Sequence, residues 1–233
     1  MNMENNMNIN STNTFKLCEY PSTIRDLLFI NFPFLQYKIA ADGLDCKLSI
    51  ENASVEDIEG IVNLFSDIIY SDEDISLAEC AVRLLYENNI NIAVAESCTG
   101  GMLSSMFIDV PGSSEVFYEG LVTYSNISKI DRLFVSEDTI SEFGAVSPET
   151  SLEMAQGLLK DNVIIGVSTT GIAGPQGGSQ EKPVGTVYIT IANLETFITH
   201  KYIFDGSRNE IRKYASQMAV FHLIEFLSKN YKV

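Results

Sequence analysis

Tryptophan is absent from this 233-residue chain, and histidine occurs only twice. Basic side chains are scarce, with 15 Lys and Arg set against 31 Asp and Glu for a formal net charge of −16. The shortage of bases argues against a nucleic-acid partner, because phosphate-backbone binding draws on clustered Lys and Arg. It holds along the whole chain: residues 1–94 carry 15 acids and 5 bases, and residues 95–233 carry 16 acids and 10 bases. The acidity otherwise speaks for solubility. The two histidines, His200 and His222, lie far in sequence from every Gly-rich segment. His222 sits in an apolar helical pattern and reads as a packing residue. Cys18, Cys46, Cys80 and Cys98 form no CxxC pair and have no His-rich partner segment. That argues for free thiols in a reducing cytoplasm and against a zinc site. No apolar run approaches the length needed to span a bilayer. Residues 1–14 are rich in Asn, Ser and Thr, with no basic stretch followed by an apolar block, and read as a disordered tail rather than a signal peptide. Neither GxxxxGK[ST] nor GxGxxG occurs, so Walker-type and dinucleotide-fold binding are unsupported.

What is present is enough apolar residue, 45%, for a real core, arranged in alternating strand and helix signals. Phe15 to Tyr70 reads as a small α+β unit. Its signals are a helix from Ser22 to Leu28 and strands Tyr37–Ala40 and Leu44–Ile50 about the Asp42-Gly43 turn. A capping box at Ser54 to Asp57 then opens a helix with Val55, Ile58, Ile61, Val62 and Phe65 on one side. The acidic run Ser71-Asp72-Glu73-Asp74 reads as a linker. A second unit opens with a capping box at Ser76 and Glu79 and a helix burying Leu77, Cys80, Ala81, Leu84 and Leu85. Strand Ile90–Val94 and helix Met102–Val110 follow, then strand Val116–Tyr124 and a short helix, Ser125–Phe134, carrying Lys129. Ser147-Pro148 starts another helix. Val163–Ser168 is nearly all apolar, as in a strand buried on both faces. Strands at about Val184–Ala192 and Thr196–Phe204 precede a long helix from about Ser207. The expected architecture is a three-layer α/β/α domain with a mixed sheet over residues 72–233, preceded by a small α+β domain over 15–71 and a tail over 1–14.

Two Gly-rich turns follow apolar strands: Ala95-Glu96-Ser97-Cys98-Thr99-Gly100-Gly101, and Thr169 to Ser179. In open α/β sheets ligands bind beyond the carboxyl ends of strands, so the turns share a pocket if their strands are neighbours. The first turn offers three nucleophiles, Ser97, Cys98 and Thr99, and free N–H groups that can hold a phosphate or an oxyanion. Read blandly, it is a tight turn with Thr99 capping the next helix. With no His nearby, the partners open to a hydroxyl nucleophile are Tyr124 and Lys129, because a lysine in an apolar pocket can lose its proton near neutral pH. On spacing alone Lys129 reads as an exposed helix lysine, and Tyr124 as an aromatic at a strand end. Lys182, Arg208 and Arg212 are a third set, able to hold a substrate phosphate or simply to pair with Asp205 and Glu210 on a solvated face.

From Ala95 onward the chain resembles the C-terminal domain of the CinA family, the nicotinamide-nucleotide amidases. The motifs that carry the resemblance stand in order: Ala95–Gly101; Asp109-Val110-Pro111-Gly112-Ser113-Ser114; Val122-Thr123-Tyr124-Ser125-Asn126 with Lys129; and Gly144-Ala145-Val146-Ser147. They continue with Thr170-Gly171-Ile172-Ala173-Gly174-Pro175, Gly177-Gly178-Ser179, Glu181 to Val187, and Gly206-Ser207-Arg208 with Arg212. The resemblance implies hydrolysis of the carboxamide of nicotinamide mononucleotide to nicotinate mononucleotide and ammonia. It implies Ser97 as nucleophile with Tyr124 and Lys129 as partners, a domain that tends to dimerise, and no metal or other cofactor. Thr99, Gly100 and Gly101 would stabilise the oxyanion. Thr170, Gly171, Gly174, Gly177, Gly178 and Ser179, with Lys182, Arg208 and Arg212, would hold ribose and phosphate. Phe15 to Tyr70 resembles the small KH-type domain of full-length relatives, whose large N-terminal molybdopterin-type domain has no room here. That segment lacks a GxxG loop and is acidic, which points to a structural or dimer-contact module rather than RNA binding. Three alternatives stay open: a non-catalytic nucleotide-binding module, an amidase for another small amide, and a cysteine enzyme using Cys98.

Overall fold

The computed structural model describes residues 12–231. Residues 1–11 of the expected tail lie outside the described residues, while Thr12–Thr14 are the first residues of a strand rather than tail. The chain divides into two compact units, Met1–Ser76 and Leu77–Val233, a few residues after the expected break at 71.

The first unit runs β1 (Thr12–Cys18), α1 (Pro21–Asn31), β2 (Tyr37–Asp42), β3 (Asp45–Glu51), α2 (Val55–Leu64) and β4 (Ile69–Ser71). Its antiparallel sheet has the order β2-β3-β1-β4. The expected hairpin forms, with Asp42 opposite Asp45 across Gly43. The Ser54–Asp57 capping box is made in full. The expected apolar stripe of α2 is rotated, however. Ile61 and Phe65 are buried with Ile58 and Leu64 packed beside them, whereas Val55 and Val62 face solvent. Ile58, Ile61 and Phe65 recur at helical spacing along one face, and the two valines lie at its margin. The acidic run is not a free linker: Ser71 pairs with β1, and the Asp74 carboxylate meets Lys47 on β3.

The second unit runs α3 (Leu77–Glu87), β5 (Ile92–Glu96), α4 (Met102–Ile108), β6 (Phe117–Val122), α5 (Asn126–Leu133) and α6 (Glu137–Phe143). It continues with α7 (Pro148–Gln156), β7 (Ile165–Gly171), β8 (Thr186–Ala192), β9 (Phe197–Ile203) and α8 (Arg208–Asn230). The five-stranded sheet has the order β6-β5-β7-β8-β9, with β6, β5 and β7 parallel and β8 and β9 antiparallel additions. Helices α3, α4 and α8 pack together in one layer, and α5, α6 and α7 in another, as the mixed α/β/α reading requires. The central strands β5 and β8 are buried throughout, as strands covered on both faces must be. Helix α6 is invisible to a periodicity argument because it buries none of its residues; Ser136 caps it by accepting from the Asp138 N–H. The long α8 starts at a complete Ser207–Glu210 capping box. Among the described residues no helix is long and apolar enough to cross a membrane.

Candidate active site

Strands β5 and β7 are parallel neighbours, with Ala95 opposite Ser168 and Glu96 opposite Thr169, so both Gly-rich turns leave the same end of the sheet. The ladder continues one residue beyond β5, where the Ser97 N–H donates to the Thr169 carbonyl at 2.9 Å. Side chains alternate along a strand. Ala93 and Ala95 enter the core formed with Leu133 of α5 and Met154 of α7. Ser97 follows with the same parity and meets α5, whose buried face carries Lys129 and Leu133 one turn apart.

The Lys129 Nζ donates to Ser97 Oγ at 3.1 Å and to the Thr123 carbonyl at 2.7 Å. Lys129 is 1% exposed and Ser97 8%, which overturns the reading of Lys129 as an exposed helix lysine. Burial of the ammonium lowers the Lys129 pKa to about 8, opposed only by the neighbouring Cys98 thiol. Among the described residues no carboxylate pairs with Lys129, and a lysine of lowered pKa in contact with a serine hydroxyl has the chemistry of a general base.

Gly100 and Gly101 take φ of +59° and +98°, the left-handed region in which a side chain is strained, and so close the turn between β5 and α4. Thr99 does not cap α4. Its hydroxyl is 2.8 Å from that of Thr169, tying the turn to β7. The cap is instead the buried Glu96 carboxylate, which accepts from the N–H groups of Gly101, Leu103 and Ser104 and from the Ser104 hydroxyl. The Gly101 N–H is therefore committed and is not an oxyanion donor, contrary to expectation. The Thr99 N–H lies against the Cys98 thiol, and the Gly100 N–H has no acceptor among the described residues. Burial pushes the Cys98 thiol up to about 12, which favours the protonated thiol over the nucleophilic thiolate at neutral pH.

The remaining expected residues divide. Tyr124 is 62% exposed, and its hydroxyl accepts from Arg208 Nη2 at 3.1 Å. It makes no hydrogen bond to Ser97 or Lys129, so the expected relay between them is not formed. Arg208 also donates from Nη1 to the Gly174 carbonyl at 2.8 Å. Arg212, one turn further along α8, donates to the Cys98 and Thr99 carbonyls. The two arginines thus clamp both Gly-rich turns; they do not pair with Asp205 and Glu210, whose partner is Ser207 in Glu210's case. Thr170 donates to the Ala145 carbonyl at 2.6 Å, and Lys182 Nζ to the Phe143 carbonyl at 2.9 Å. Ser179 and Lys182 close their own turn. At Gly171 and Gly178 a Cβ would lie 2.7 Å from backbone atoms of Thr186 and Val184, so these two serve close chain packing. Gly174 and Gly177 have positive φ and shape the second loop. Sequence reasoning passed over Glu96 and Thr123; an acid ending an otherwise apolar buried strand was the available signal for Glu96. Among the described residues no group of three His, Cys, Asp or Glu side chains could hold a metal ion.

Comparison with known proteins bears on the same segment. The family model for the CinA C-terminal domain matches residues 74–227 and does not reach most of the first unit. A CinA-like protein of Thermotoga maritima is 47% identical over 179 residues, covering 76% of this chain and 44% of that protein. The chain spans less than half the length of the curated relatives it matches. The crystal structure of a competence/damage inducible protein from Agrobacterium tumefaciens has a TM-score of 0.63 at 39% identity, covering 65% of this chain and 93% of that one. That of a CinA superfamily protein from Klebsiella pneumoniae has a TM-score of 0.64 at 29% identity, covering 66% and 96%. Since the matched span contains both Gly-rich turns, the buried lysine and the arginine clamp, this chain belongs to the CinA family through its C-terminal domain.

Proposed function

We propose that the second unit is an amidase that hydrolyses the carboxamide of nicotinamide mononucleotide, giving nicotinate mononucleotide and ammonia. The observation that carries this reading is the buried contact between Ser97 and a lysine whose burial favours the neutral amine. In the proposed reaction the neutral Lys129 takes the Ser97 proton as Oγ bonds to the carboxamide carbon. The oxyanion accepts from the Gly100 N–H, the donor of this turn that is left without an acceptor among the described residues. The Lys129 ammonium returns the proton to the amide nitrogen, the C–N bond breaks and ammonia leaves. Water, deprotonated by Lys129, then hydrolyses the nicotinoyl ester and frees Ser97. Arg208 is exposed and uses two of its N–H donors, leaving others for a substrate phosphate. Binding energy from that remote phosphate would orient the reacting amide. The first unit enters this reading as a KH-type structural or dimer-contact module, and the chain as a cytoplasmic homodimer or higher homo-oligomer whose size light scattering measures.

The direct test is ammonia release by the purified chain from nicotinamide mononucleotide. Binding without ammonia would instead favour a non-catalytic nucleotide-binding module, and turnover of other small amides a different amidase. The pH dependence is a second, independent check. Because the reactive form of Lys129 is the neutral one, kcat/KM should climb with pH, bend near pH 8 and level off above it. A rate that falls through that range would contradict a lysine base. Cys98→Ala should keep most of the activity, since a thiol with a pKa of about 12 supplies no thiolate at working pH; loss of turnover in a folded variant would return the cysteine to contention.

A further inference from the structure

Glu96 is fully buried and stands immediately before Ser97. Its Oε2 accepts from the Gly101 N–H at 2.8 Å and the Leu103 N–H at 3.1 Å. Its Oε1 accepts from the Ser104 N–H at 2.8 Å and the Ser104 hydroxyl at 2.5 Å. All four contacts to its two oxygens come from the start of one short helix. Among the described residues no Lys or Arg forms an ion pair with Glu96. A helix cap is usually supplied locally, by a Ser, Thr, Asp or Asn at the N-cap position. Here the N-cap is Gly101, which offers no side chain, and the capping group reaches back from the strand end.

The consequence is a closed ring. The backbone runs from Glu96 through Ser97 and the two left-handed glycines to Ser104, and the carboxylate ties Ser104 back to Glu96. Ser97 and the unoccupied Gly100 N–H both lie within that ring. Outside it, Arg212 holds the Cys98 and Thr99 carbonyls, and Thr169 holds the Ser97 N–H and the Thr99 hydroxyl. A feature of the neighbouring strand supports the same arrangement. Gly120 on β6 lies beside Val94, and a Cβ built there would stand 2.0 Å from Ser104 Oγ. The sheet therefore carries no side chain at the place Ser104 must occupy to reach Glu96.

The geometry points to Glu96 as a positioning residue that fixes the attack direction of the Ser97 hydroxyl, through a carboxylate-closed ring seated over Gly120. Its steady-state consequences rest on the amidase reading; the ring itself does not. In Glu96→Gln the amide NH2 would face at least one N–H donor head to head whichever way the amide lies, Gly101 and Leu103 in one orientation and Ser104 in the other, displacing the turn.

The test uses the full chain and a fluorophosphonate probe, followed by intact mass. The Ser97 Oγ–P bond forms, fluoride leaves, and the Oγ proton passes to Lys129. Labelling should fall roughly 100-fold in Glu96→Gln, the scale expected when a reacting atom is displaced by about 1 Å. The bend near pH 8 should persist, because the base is untouched. Gly120→Ala, which pushes Ser104 away, should cost about tenfold, and Ser104→Ala, which removes one donor without adding a clash, about threefold. Ammonia release should show the same order in kcat with KM little changed. Parental labelling and kcat in folded Glu96→Gln would overturn the assignment. So would losses that merely track the fraction folded in the melting curves. If Glu96→Gln does not fold, the Gly120→Ala and Ser104→Ala pair decides by the same two criteria. A parent that labels with the expected pH dependence yet releases no ammonia would sink the amidase reading and leave the role of Glu96 to the labelling rates.

Discussion

Replacing Ser97 with alanine should abolish ammonia release from nicotinamide mononucleotide, a loss on the order of 10⁴- to 10⁶-fold in kcat. The Ser97 hydroxyl is hydrogen-bonded to Lys129 Nζ and can form an ester, and burial pushes the adjacent Cys98 thiol up to about 12. Substrate affinity should change little, because the residues offered for ribose and phosphate lie on the second loop and on α8. The variant should also fold, since Ser97 is anchored through its N–H, which alanine retains. Steady-state kinetics with a melting curve tests this. Turnover within tenfold of the parent would mean that another nucleophile operates.

The second large effect concerns the base. Lys129→Met should cut kcat by about 10²- to 10⁴-fold, the usual contribution of a general base. Lys129→Arg should be no better, because a guanidinium keeps its proton. Stability distinguishes this loss from simple damage. The folded pKa of Lys129 is depressed from 10.5 to about 8. Between those values the unfolded chain holds a proton that the folded chain has shed, so parental stability rises as pH is raised through that window. The methionine variant has no such group. Its stability relative to the parent should therefore be greatest below pH 8 and decline by up to about 3 kcal/mol by pH 10.5. Parallel denaturant titrations at pH 7 and pH 10 measure the difference. A constant offset would show that burial does not perturb this lysine.

Much of the architecture was legible because it rests on local chemistry. The Ser54 and Ser207 capping boxes, the Asp42-Gly43 hairpin and the apolar run of β7 are each specified by a few neighbouring residues. Elements without such a signature escaped: β4 has three residues, and α6 buries none. The site was legible as a list of residues and illegible as an arrangement. Nothing local distinguishes Lys129 from a solvated helix lysine. Its environment comes from Ser97, 32 positions away, and from the close of β6 above it. Tyr124 shows the converse. Its place in a family motif suggested a proton relay, but its hydroxyl is spent on Arg208, 84 positions distant.

By itself the sequence determined the strand–helix alternation, the two Gly-rich turns and the family, since these depend on periodicity, caps and motifs read over a few residues. Only the tertiary structure decided which of these groups meet. The pairing of β5 with β7 brings both turns to one end of the sheet, and the layer of α5 over β5 takes Lys129 out of water. A pKa and a contact distance depend on what surrounds a group, and most of what surrounds these lies far away along the chain.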